Sequence, residues 1–405
     1  MALCLAGVTA YTPLERITDA LLVIEEGVFS YAGPRGARPL PPGARVLDLG
    51  GALACPGFVD IQVNGLGADA LLTADAAGVR RIARELARRG TAAFLPTLTT
   101  ASREELIRAA RAVSEAWALQ KENACAEARV LGVHLEGPYL EPEMRGAHPR
   151  EHIRAPSKEE VETIAQAAGG FGVGGAPGLA VVTLSPGVAG AADFARWLAE
   201  KGVVPAMGHT RASAACVEAF LEAGGAFAVH AFNRYGHPET PAHRGASPMD
   251  FVQNDARLSA GLIADGAHVA QRPLASFVSA RGWERTVLTS DLVADGGLRP
   301  RTGEVETSGE MPGDAVMREG VLTGSRLALS GMLPRLKDWC GFDAACALAT
   351  ATRNPARVLG LESARGRIAQ GLPADFCVLD PGSLKLIAAM VNGKWASDAP
   401  PIAGG

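Results

Sequence analysis

From about residue 56 onward, short apolar runs alternate with longer stretches in which apolar positions recur every three or four residues. The short runs are typical of buried strands and the longer stretches of amphipathic helices. Eight strand-like runs can be counted, at residues 58–64, 91–98, 130–136, 179–185, 203–209, 227–232, 259–265 and 286–291. Strands that alternate with helices pair in parallel, so this pattern predicts an α/β fold built on a (β/α)8, TIM-like barrel.

The helices between these strands carry recognisable start and stop signals. Two Ser-x-x-Glu sequences predict capping boxes at helix N-termini: Ser102 with Glu105, and Ser157 with Glu160. Three glycines that follow helical patterns predict C-terminal ends: Gly90, Gly202 and Gly224. The stretch between Asp291 and the helix near Leu329 exceeds thirty residues, which is long for a barrel loop and predicts a flap over the site.

Both flanks of the predicted barrel read as short β-strands. The N-terminal segments are 20–25, 28–32 and 45–49, and the C-terminal ones are 366–368, 375–380 and 384–391. Before the C-terminal flank, Asn354 and Pro355 break the helical pattern. Because both flanks are β and lie outside the barrel, we expect them to pair in one small β-sandwich. The predicted domains are a barrel over residues 55–360 and a β-sandwich formed by residues 1–54 and 361–405.

Composition narrows the class of protein. The chain of 405 residues is 48% hydrophobic and carries a formal net charge of −4, so it can bury a large core and has no basic excess for nucleic acid. Its N-terminal apolar stretches are interrupted by Glu15, Arg16 and Asp19, which fits neither a signal peptide nor a membrane span. Seven scattered cysteines without a CxxC pair are typical of free thiols in a reducing compartment. We therefore expect a cytoplasmic protein with no membrane partner.

Polar side chains stand at the C-terminal ends of the predicted strands, where the loops of a barrel build its site. Glu136, His209 and His230 end strands three, five and six, and Asp291 ends strand eight. One carboxylate and two imidazoles suit a divalent cation and leave a position for a water molecule, whose pKa the ion lowers to about 7. Asp291 is then placed to take the proton of that water and pass it to a leaving amine.

Three of these four residues also have a simpler explanation. Glu136 could be a buried acid paired with an arginine, His209 a satisfied core histidine, and Asp291 a helix N-cap. The occurrence of four ligands or bases at four predicted strand ends favours a catalytic metal site over these separate explanations.

The segments that carry this chemistry resemble those of a known family. They are PGFVDIQVNG (56–65), HLEGPYL (134–140) with RGAH (145–148), MGHT (207–210), VHAFN (229–233), GLIADGAHV (261–269) and VLTSD (287–291). In this order they resemble the N-acetylglucosamine-6-phosphate deacetylases of the amidohydrolase superfamily. The tail RGRIAQGLPADFCVLD (365–380) also resembles the return of that superfamily into its β-sandwich, so the resemblance covers nearly the whole chain.

The resemblance implies that Glu136, His209 and His230 bind the metal and that Asp291 is the catalytic aspartate. Many superfamily members carry a His-x-His pair at the end of strand one for a second metal, but Gln62 and Asn64 stand there in this chain. Amides bind zinc poorly, so we expect one divalent ion per chain, zinc ahead of iron or other ions. The positions assigned to substrate binding are Gln62 and Asn64, with His148, Asn233 and His268 as contacts to a sugar phosphate.

The chain also departs from the family pattern. Arg234, Tyr235 and Gly236 follow Asn233, and the family's Arg-Glu-Pro-Gly, whose arginine often reaches phosphate across a dimer, is replaced by HRGAS (243–247). We take Arg244 as the equivalent substrate-binding arginine and expect a homodimer. Strand four usually ends in Ala-Pro-Glu and here ends in Ser185, Pro186 and Gly187. These changes leave the metal chemistry intact and leave the substrate open.

The predicted function is metal-dependent deacetylation of an N-acetyl amino sugar phosphate, N-acetylglucosamine 6-phosphate first, to glucosamine 6-phosphate and acetate. One of the imidazoles His134 or His148 is expected to polarise the amide oxygen. The alternative is hydrolysis of a different or unphosphorylated N-acyl amino sugar, or of an N-acyl amino acid. A rival of another class is a barrel-shaped binding protein without catalytic activity, which the presence of every ligand disfavours.

Overall fold

The computed structural model describes residues 2–122, 125–173, 177–237, 245–295, 314–318 and 320–397. The strands are β1 Leu3–Tyr11, β2 Arg16–Glu25, β3 Val28–Pro34, β4 Arg45–Asp48, β5 Leu53–Pro56, β6 Phe58–Val63, β7 Gly65–Leu66, β8 Asp69–Ala70, β9 Thr91–Thr99, β10 Arg129–Val130, β11 Val133–Glu136, β12 Leu179–Leu184, β13 Val204–Met207, β14 Phe227–Ala228, β15 Ser259–Leu262, β16 Thr286–Leu288, β17 Ala315–Arg318, β18 Val321–Ser325, β19 Phe376–Leu379, β20 Leu386–Val391 and β21 Lys394–Trp395. The helices are α1 Ala76–Arg88, α2 Arg103–Glu122, α3 Lys158–Ala168, α4 Ala191–Glu200, α5 Ala214–Glu222, α6 Pro248–Asn254, α7 Gln271–Arg281, α8 Leu329–Cys340, α9 Ala344–Ala351 and α10 Arg353–Val358.

A parallel barrel forms the larger part of the molecule. Its strands neighbour one another in the order β6, β9, β11, β12, β13, β14, β15 and β16, all in parallel. The ring is nearly closed by a parallel bridge between Val63 and Leu292. Beside it, the Asp291 N–H donates to the Gln62 carbonyl at 3.0 Å. The predicted (β/α)8 barrel is confirmed.

Alternate residues of the barrel strands enter two separate cores, as the period of a strand requires. Val59 and Ile61 of β6 pack inside the barrel with Leu95 of β9. Phe58 and Phe94, their neighbours in sequence, belong to the larger core that includes buried residues of the helices. Strands buried on both faces read as continuous apolar runs, which is why the eight runs were visible in the sequence.

Several barrel strands end earlier than predicted. The runs 203–209, 227–232 and 286–291 contain strands that end at Met207, Ala228 and Leu288. The residues that follow leave the extended conformation, with φ of +50° at His209, +27° at His230 and +50° at Asp291. The polar side chains therefore stand on tight turns just beyond the strands, a conformation that costs energy and clusters at functional sites.

The two flanks form one hydrogen-bonded sheet of eight strands. The connection between them is the antiparallel pairing of β5 with β19, in which Cys55 lies opposite Cys377. The expectation that the flanks pair with each other is confirmed, although β1 and β5 were missed and residues 366–368 form no strand. The boundaries of the two domains stay a prediction.

The helix signals were partly correct. Ser102 and Glu105 form the predicted capping box at α2, and Gly90, Gly202 and Gly224 end helices with positive φ. At α3 the Ser157 side chain caps the helix, but the Glu160 carboxylate turns instead to Arg154 and Tyr139. Asn354 and Pro355 do not end the helical region, because a proline is tolerated in the first turn of the further helix α10.

The long segment before α8 contains a hairpin, β17 and β18, that the sequence pattern did not predict. Ser325 of this hairpin donates its N–H to the Asp291 carbonyl at 3.0 Å, so the hairpin extends the sheet beside the barrel mouth. Residues 296–313, on which the predicted flap falls, lie outside the described residues.

Over the part of the chain that is described, no helix is long and apolar enough to cross a membrane. All seven cysteines are free thiols.

Candidate active site

Glu136, at the end of β11, lies at the centre of the site. Its side chain is 4% exposed, and its Oε1 accepts a hydrogen bond from Gln62 Nε2 at 3.2 Å and lies 2.9 Å from His230 Nε2 and 3.3 Å from His209 Nε2. Burial acts to raise the pKa of the Glu136 carboxyl, but the contacts with the two imidazoles outweigh it and hold that pKa well below its usual value. Among the described residues its partners are two imidazoles and an amide, rather than the arginine of the simpler explanation.

The ring of His209 is oriented by a backbone acceptor. Its Nδ1 lies 3.0 Å from the Met144 carbonyl oxygen, which can only accept, so Nδ1 carries the proton. Nε2 then has a free lone pair that faces Glu136. Burial lowers the pKa of His209, which favours the neutral imidazole that a metal requires.

His230 approaches Glu136 from the next strand, with its ring centroid 4.9 Å from that of His209. Its Nδ1 is buried without a hydrogen-bond partner among the described residues. Burial acts to lower the pKa of His230, but the Glu136 carboxylate opposes this and raises it overall. A buried carboxylate in contact with an imidazole needs a compensating positive charge. A bound cation could supply that charge in place of a proton on the imidazole.

His148 also points into this cluster, at 4.5 Å from the His209 ring centroid. The ligand atoms of Glu136, His148 and His209 all lie within 4.8 Å of one another, so distance alone allows a second ligand set. The Thr100 backbone N–H donates to His148 Nδ1 at 3.4 Å, and the Thr100 hydroxyl lies at 2.8 Å. A backbone N–H can only donate, so the proton of a neutral His148 is on Nε2, which makes this atom a donor rather than a metal ligand.

The pKa of His148 supports the neutral form. Burial first, and then the nearby His209, lower this pKa to about 3. His134, the other imidazole considered for the amide oxygen, is fully buried with Nδ1 3.0 Å from the Ile61 carbonyl and Nε2 2.8 Å from the Thr183 hydroxyl. Both of its nitrogens are occupied by the barrel wall, which leaves His148 as the available donor.

Asp291 follows β16 at the same barrel mouth and contacts two other predicted site residues. The Asn64 amide donates to its Oδ1 at 2.6 Å, and His268 Nε2 lies 3.6 Å from its Oδ2. Burial, and then the charge of Glu136, raise the pKa of Asp291 to about 7. It follows a strand rather than starting a helix, so its explanation as a helix N-cap is wrong.

His268 is held by an acid behind it. Its Nδ1 lies 2.7 Å from Asp265 Oδ2, and its backbone N–H donates to the other oxygen of the same carboxylate at 2.9 Å. The sequence placed Asp265 at a strand end but assigned it no role. Contact of His268 with a sugar phosphate stays a prediction, and the geometry brings its other nitrogen to Asp291.

The remaining predicted substrate residues leave polar atoms unpaired. Gln62 Oε1, Asn64 Oδ1 and Asn233 Nδ2 are buried and lack a hydrogen-bond partner among the described residues. Buried polar groups of this kind are costly unless a ligand or water meets them. Arg244, the predicted phosphate-binding arginine, lies outside the described residues.

Two groups that orient the imidazoles were missed in the sequence. Thr100 lies one residue beyond β9, in a TLTT run that offered several threonines without distinguishing them. The Met144 carbonyl belongs to the backbone, so no residue type could have indicated it.

The donor set fits a divalent metal ion. Glu136, His209 and His230 supply one carboxylate oxygen and two imidazole nitrogens within contact distance, and the Met144 carbonyl fixes the tautomer of one imidazole. The two amides that replace the superfamily's His-x-His pair, Gln62 and Asn64, donate to Glu136 and Asp291 instead. This chemistry suits a site for one metal ion.

Comparison with known proteins identifies the family of this chain. The Amidohydrolase family model matches residues 53–401. The N-acetylglucosamine-6-phosphate deacetylase of Bos taurus is 30% identical over 86% of this chain and 84% of its own. The N-acetylgalactosamine-6-phosphate deacetylase of Escherichia coli O157:H7 is 30% identical over 94% of this chain and 96% of its own. The crystal structure of N-acetyl-D-glucosamine-6-phosphate deacetylase from Mycobacterium smegmatis superimposes with a TM-score of 0.80 at 27% identity, covering 98% of this chain and 100% of that chain. The chain therefore belongs to the amidohydrolase family, in the group that contains the N-acetylglucosamine-6-phosphate deacetylases.

Proposed function

We propose that this amidohydrolase removes the acetyl group from N-acetylglucosamine 6-phosphate and releases glucosamine 6-phosphate and acetate. The observation that carries the proposal is the buried Glu136 carboxylate in contact with His209 and His230, with Asp291 at the same barrel mouth. The names of the relatives that match over most of the chain support the substrate.

In this proposal Glu136, His209 and His230 hold one divalent ion, zinc ahead of iron. When bound, such an ion supplies a Lewis acid for the amide carbonyl and makes a water molecule more acidic. The single ion is supported by Gln62 and Asn64, whose side chains are weak zinc ligands and already donate to carboxylates.

Two side chains move or hold protons. Asp291 accepts the proton of the attacking water on its carboxylate and then delivers it to the leaving amine nitrogen, because a carboxyl with a pKa of about 7 can do both at neutral pH. His148 donates its Nε2–H to the amide oxygen as negative charge develops there, since Thr100 keeps its other nitrogen an acceptor. Asn64 orients the Asp291 carboxylate through their 2.6 Å contact.

The substrate-facing groups are the unpaired amide atoms and the phosphate-binding residues expected from the sequence. The Gln62 and Asn64 amide oxygens would accept hydrogen bonds from hydroxyl groups of the sugar, and the Asn233 amide nitrogen would donate to a hydroxyl or phosphate oxygen. His268 and Arg244 complete the set. We also propose a homodimer in the cytoplasm, in keeping with the free thiols and with the family's use of an arginine from the second subunit.

A second candidate substrate is N-acetylgalactosamine 6-phosphate, because the Escherichia coli relative with that name matches a larger share of this chain than the bovine enzyme does. Unphosphorylated or other N-acyl substrates are the third candidate. Acetate release by the zinc-loaded protein, compared across both phosphorylated sugars, their free forms and an N-acetyl amino acid, separates these. The proposal requires the highest kcat/KM with N-acetylglucosamine 6-phosphate, and no acetate from any of them would refute hydrolysis of this class.

A further inference from the structure

Glu141 lies in the loop after β11, and its carboxylate contacts residues that follow two other barrel strands, β12 and β13. Its Oε1 accepts from the Ser185 hydroxyl at 2.6 Å, the Thr210 hydroxyl at 2.8 Å and the Arg211 N–H at 3.2 Å. The Arg211 guanidinium also lies 3.5 Å from Oε2. The side chain is 14% exposed, so these contacts are largely shielded from water.

The backbone of Glu141 also contacts the backbone of His209, just beyond the end of β13. The Glu141 N–H donates to the His209 carbonyl at 3.4 Å. The turn Pro142–Met144 follows, and its last N–H returns to the Glu141 carbonyl at 2.9 Å. Met144 then offers the carbonyl that accepts from His209 Nδ1. A carboxylate that ties this turn to Thr210 and Arg211 therefore holds both the backbone and the ring of His209.

The space for this carboxylate exists because residue 187 is glycine. A Cβ built on Gly187 would lie 2.3 Å from Glu141 Oε1, closer than any non-bonded contact allows. The resemblance described above places a glutamate at this position, at the end of strand four, and this chain has Ser185, Pro186 and Gly187 there. The carboxylate of Glu141 thus fills the volume that the missing side chain leaves.

We propose that Glu141 is a positioning residue for His209. This inference rests on the proposed function only because it takes His209 as a metal ligand. Glu141 contacts neither Glu136 nor His230 among the hydrogen bonds of the described residues, so it acts through Thr210, Arg211 and the Met144 turn. Removing a partner that orients a metal ligand in this way typically lowers the metal affinity by about 10- to 100-fold.

The test measures the affinity of the purified full-length protein for Zn²⁺ by competition with a chromogenic chelator, without substrate. Glu141→Ala is expected to weaken zinc binding by about 10- to 100-fold. Glu141→Gln keeps an acceptor oxygen for the two hydroxyls and should retain most of the affinity. Glu143→Gln is the matched control, because Glu143 lies in the same turn but its side chain is 50% exposed and its ion pairs with Arg211 and Arg150 are long, at 3.9 and 4.0 Å. Exposed pairs of this kind contribute little, so Glu143→Gln should leave zinc binding unchanged.

Gly187 provides a second test that does not depend on the Glu141→Ala protein being well folded. Gly187 does not have positive φ, so Gly187→Ala adds a methyl group without backbone strain and displaces the carboxylate. It should weaken zinc binding in the wild-type background and cause no further loss in the Glu141→Ala background. Unchanged affinity in Gly187→Ala and in a folded Glu141→Ala, or purely additive losses, would overturn the proposal. Lack of deacetylase activity in the wild type would refute the proposed function instead, since zinc binding is measured independently.

Discussion

Glu160 should contribute far more to stability than its neighbour Glu159, although both are acids in the first turn of α3. The Glu160 side chain is 6% exposed and accepts from Arg154 Nε at 3.0 and 3.1 Å, from Arg154 Nη2, and from the Tyr139 hydroxyl at 3.1 Å. The Glu159 side chain is 84% exposed, with Arg103 at 3.6 Å. The two residues therefore share the first turn of the helix and differ in burial.

The expected loss of unfolding free energy follows from the groups that Glu160→Ala leaves without a partner. Tyr139 is fully buried and would lose the acceptor of its hydroxyl, which costs about 1–3 kcal/mol. Arg154 would lose its ion pair, but its side chain is 29% exposed and its Nη1 still donates to the carbonyls of Ala101 and His152. The usual loss of about 3–5 kcal/mol for a broken buried pair is therefore too large here, and we expect about 2–4 kcal/mol in total.

Urea unfolding followed by circular dichroism measures this difference, with Glu159→Ala as the control for lost helix-terminal charge. Glu159→Ala should change the unfolding free energy by less than about 1 kcal/mol, as exposed pairs do. In the Glu160→Ala background, Tyr139→Phe should recover about 1 kcal/mol or more, because it removes the unpaired hydroxyl. Equal effects of Glu159→Ala and Glu160→Ala would refute the reasoning, and so would an additive loss from Tyr139→Phe.

Three further predictions concern the site and its surroundings. Asp291→Asn should retain the metal while kcat falls by about 10² or more, and loss of metal by elemental analysis would make Asp291 a ligand instead. Arg244→Ala should raise KM for N-acetylglucosamine 6-phosphate by the equivalent of about 1–3 kcal/mol and leave the free sugar unaffected; equal losses on both substrates would contradict a phosphate contact. Burial raises the pKa of Asp60 to about 7 in the folded protein, above its value of about 3.9 in the unfolded chain, so its contribution to stability should decrease as pH rises from about 4 to 7. Asp60→Asn keeps the acceptor for Gln62 and Ser290 and should make the unfolding free energy less dependent on pH in that range, which urea unfolding at several pH values would reveal.

The barrel was predictable because its strands are buried on both faces. Such strands read as short apolar runs, and a polar residue that ends one of them stands out against that background. Glu136, His209, His230 and Asp291 were chosen as candidates in this way. Their predicted closeness followed from the rule that the C-terminal ends of parallel barrel strands meet at one mouth. The hydrophobic pattern placed some strand ends several residues too late. It reports burial, and His230 and Asp291 remain buried although their backbone has already left the extended conformation.

What the sequence determined by itself was therefore periodicity and residue chemistry: which segments are strands and helices, and which side chains can bind a metal or move a proton. The tertiary structure decided which partner each polar group meets, because those partners are far apart in the chain. Thr100 makes His148 a donor, Arg154 and Tyr139 draw Glu160 out of its capping box, and Glu141 enters the space beside Gly187. None of these pairings leaves a periodic signal, since hydrogen-bond direction and free volume arise only when separate loops pack against one another.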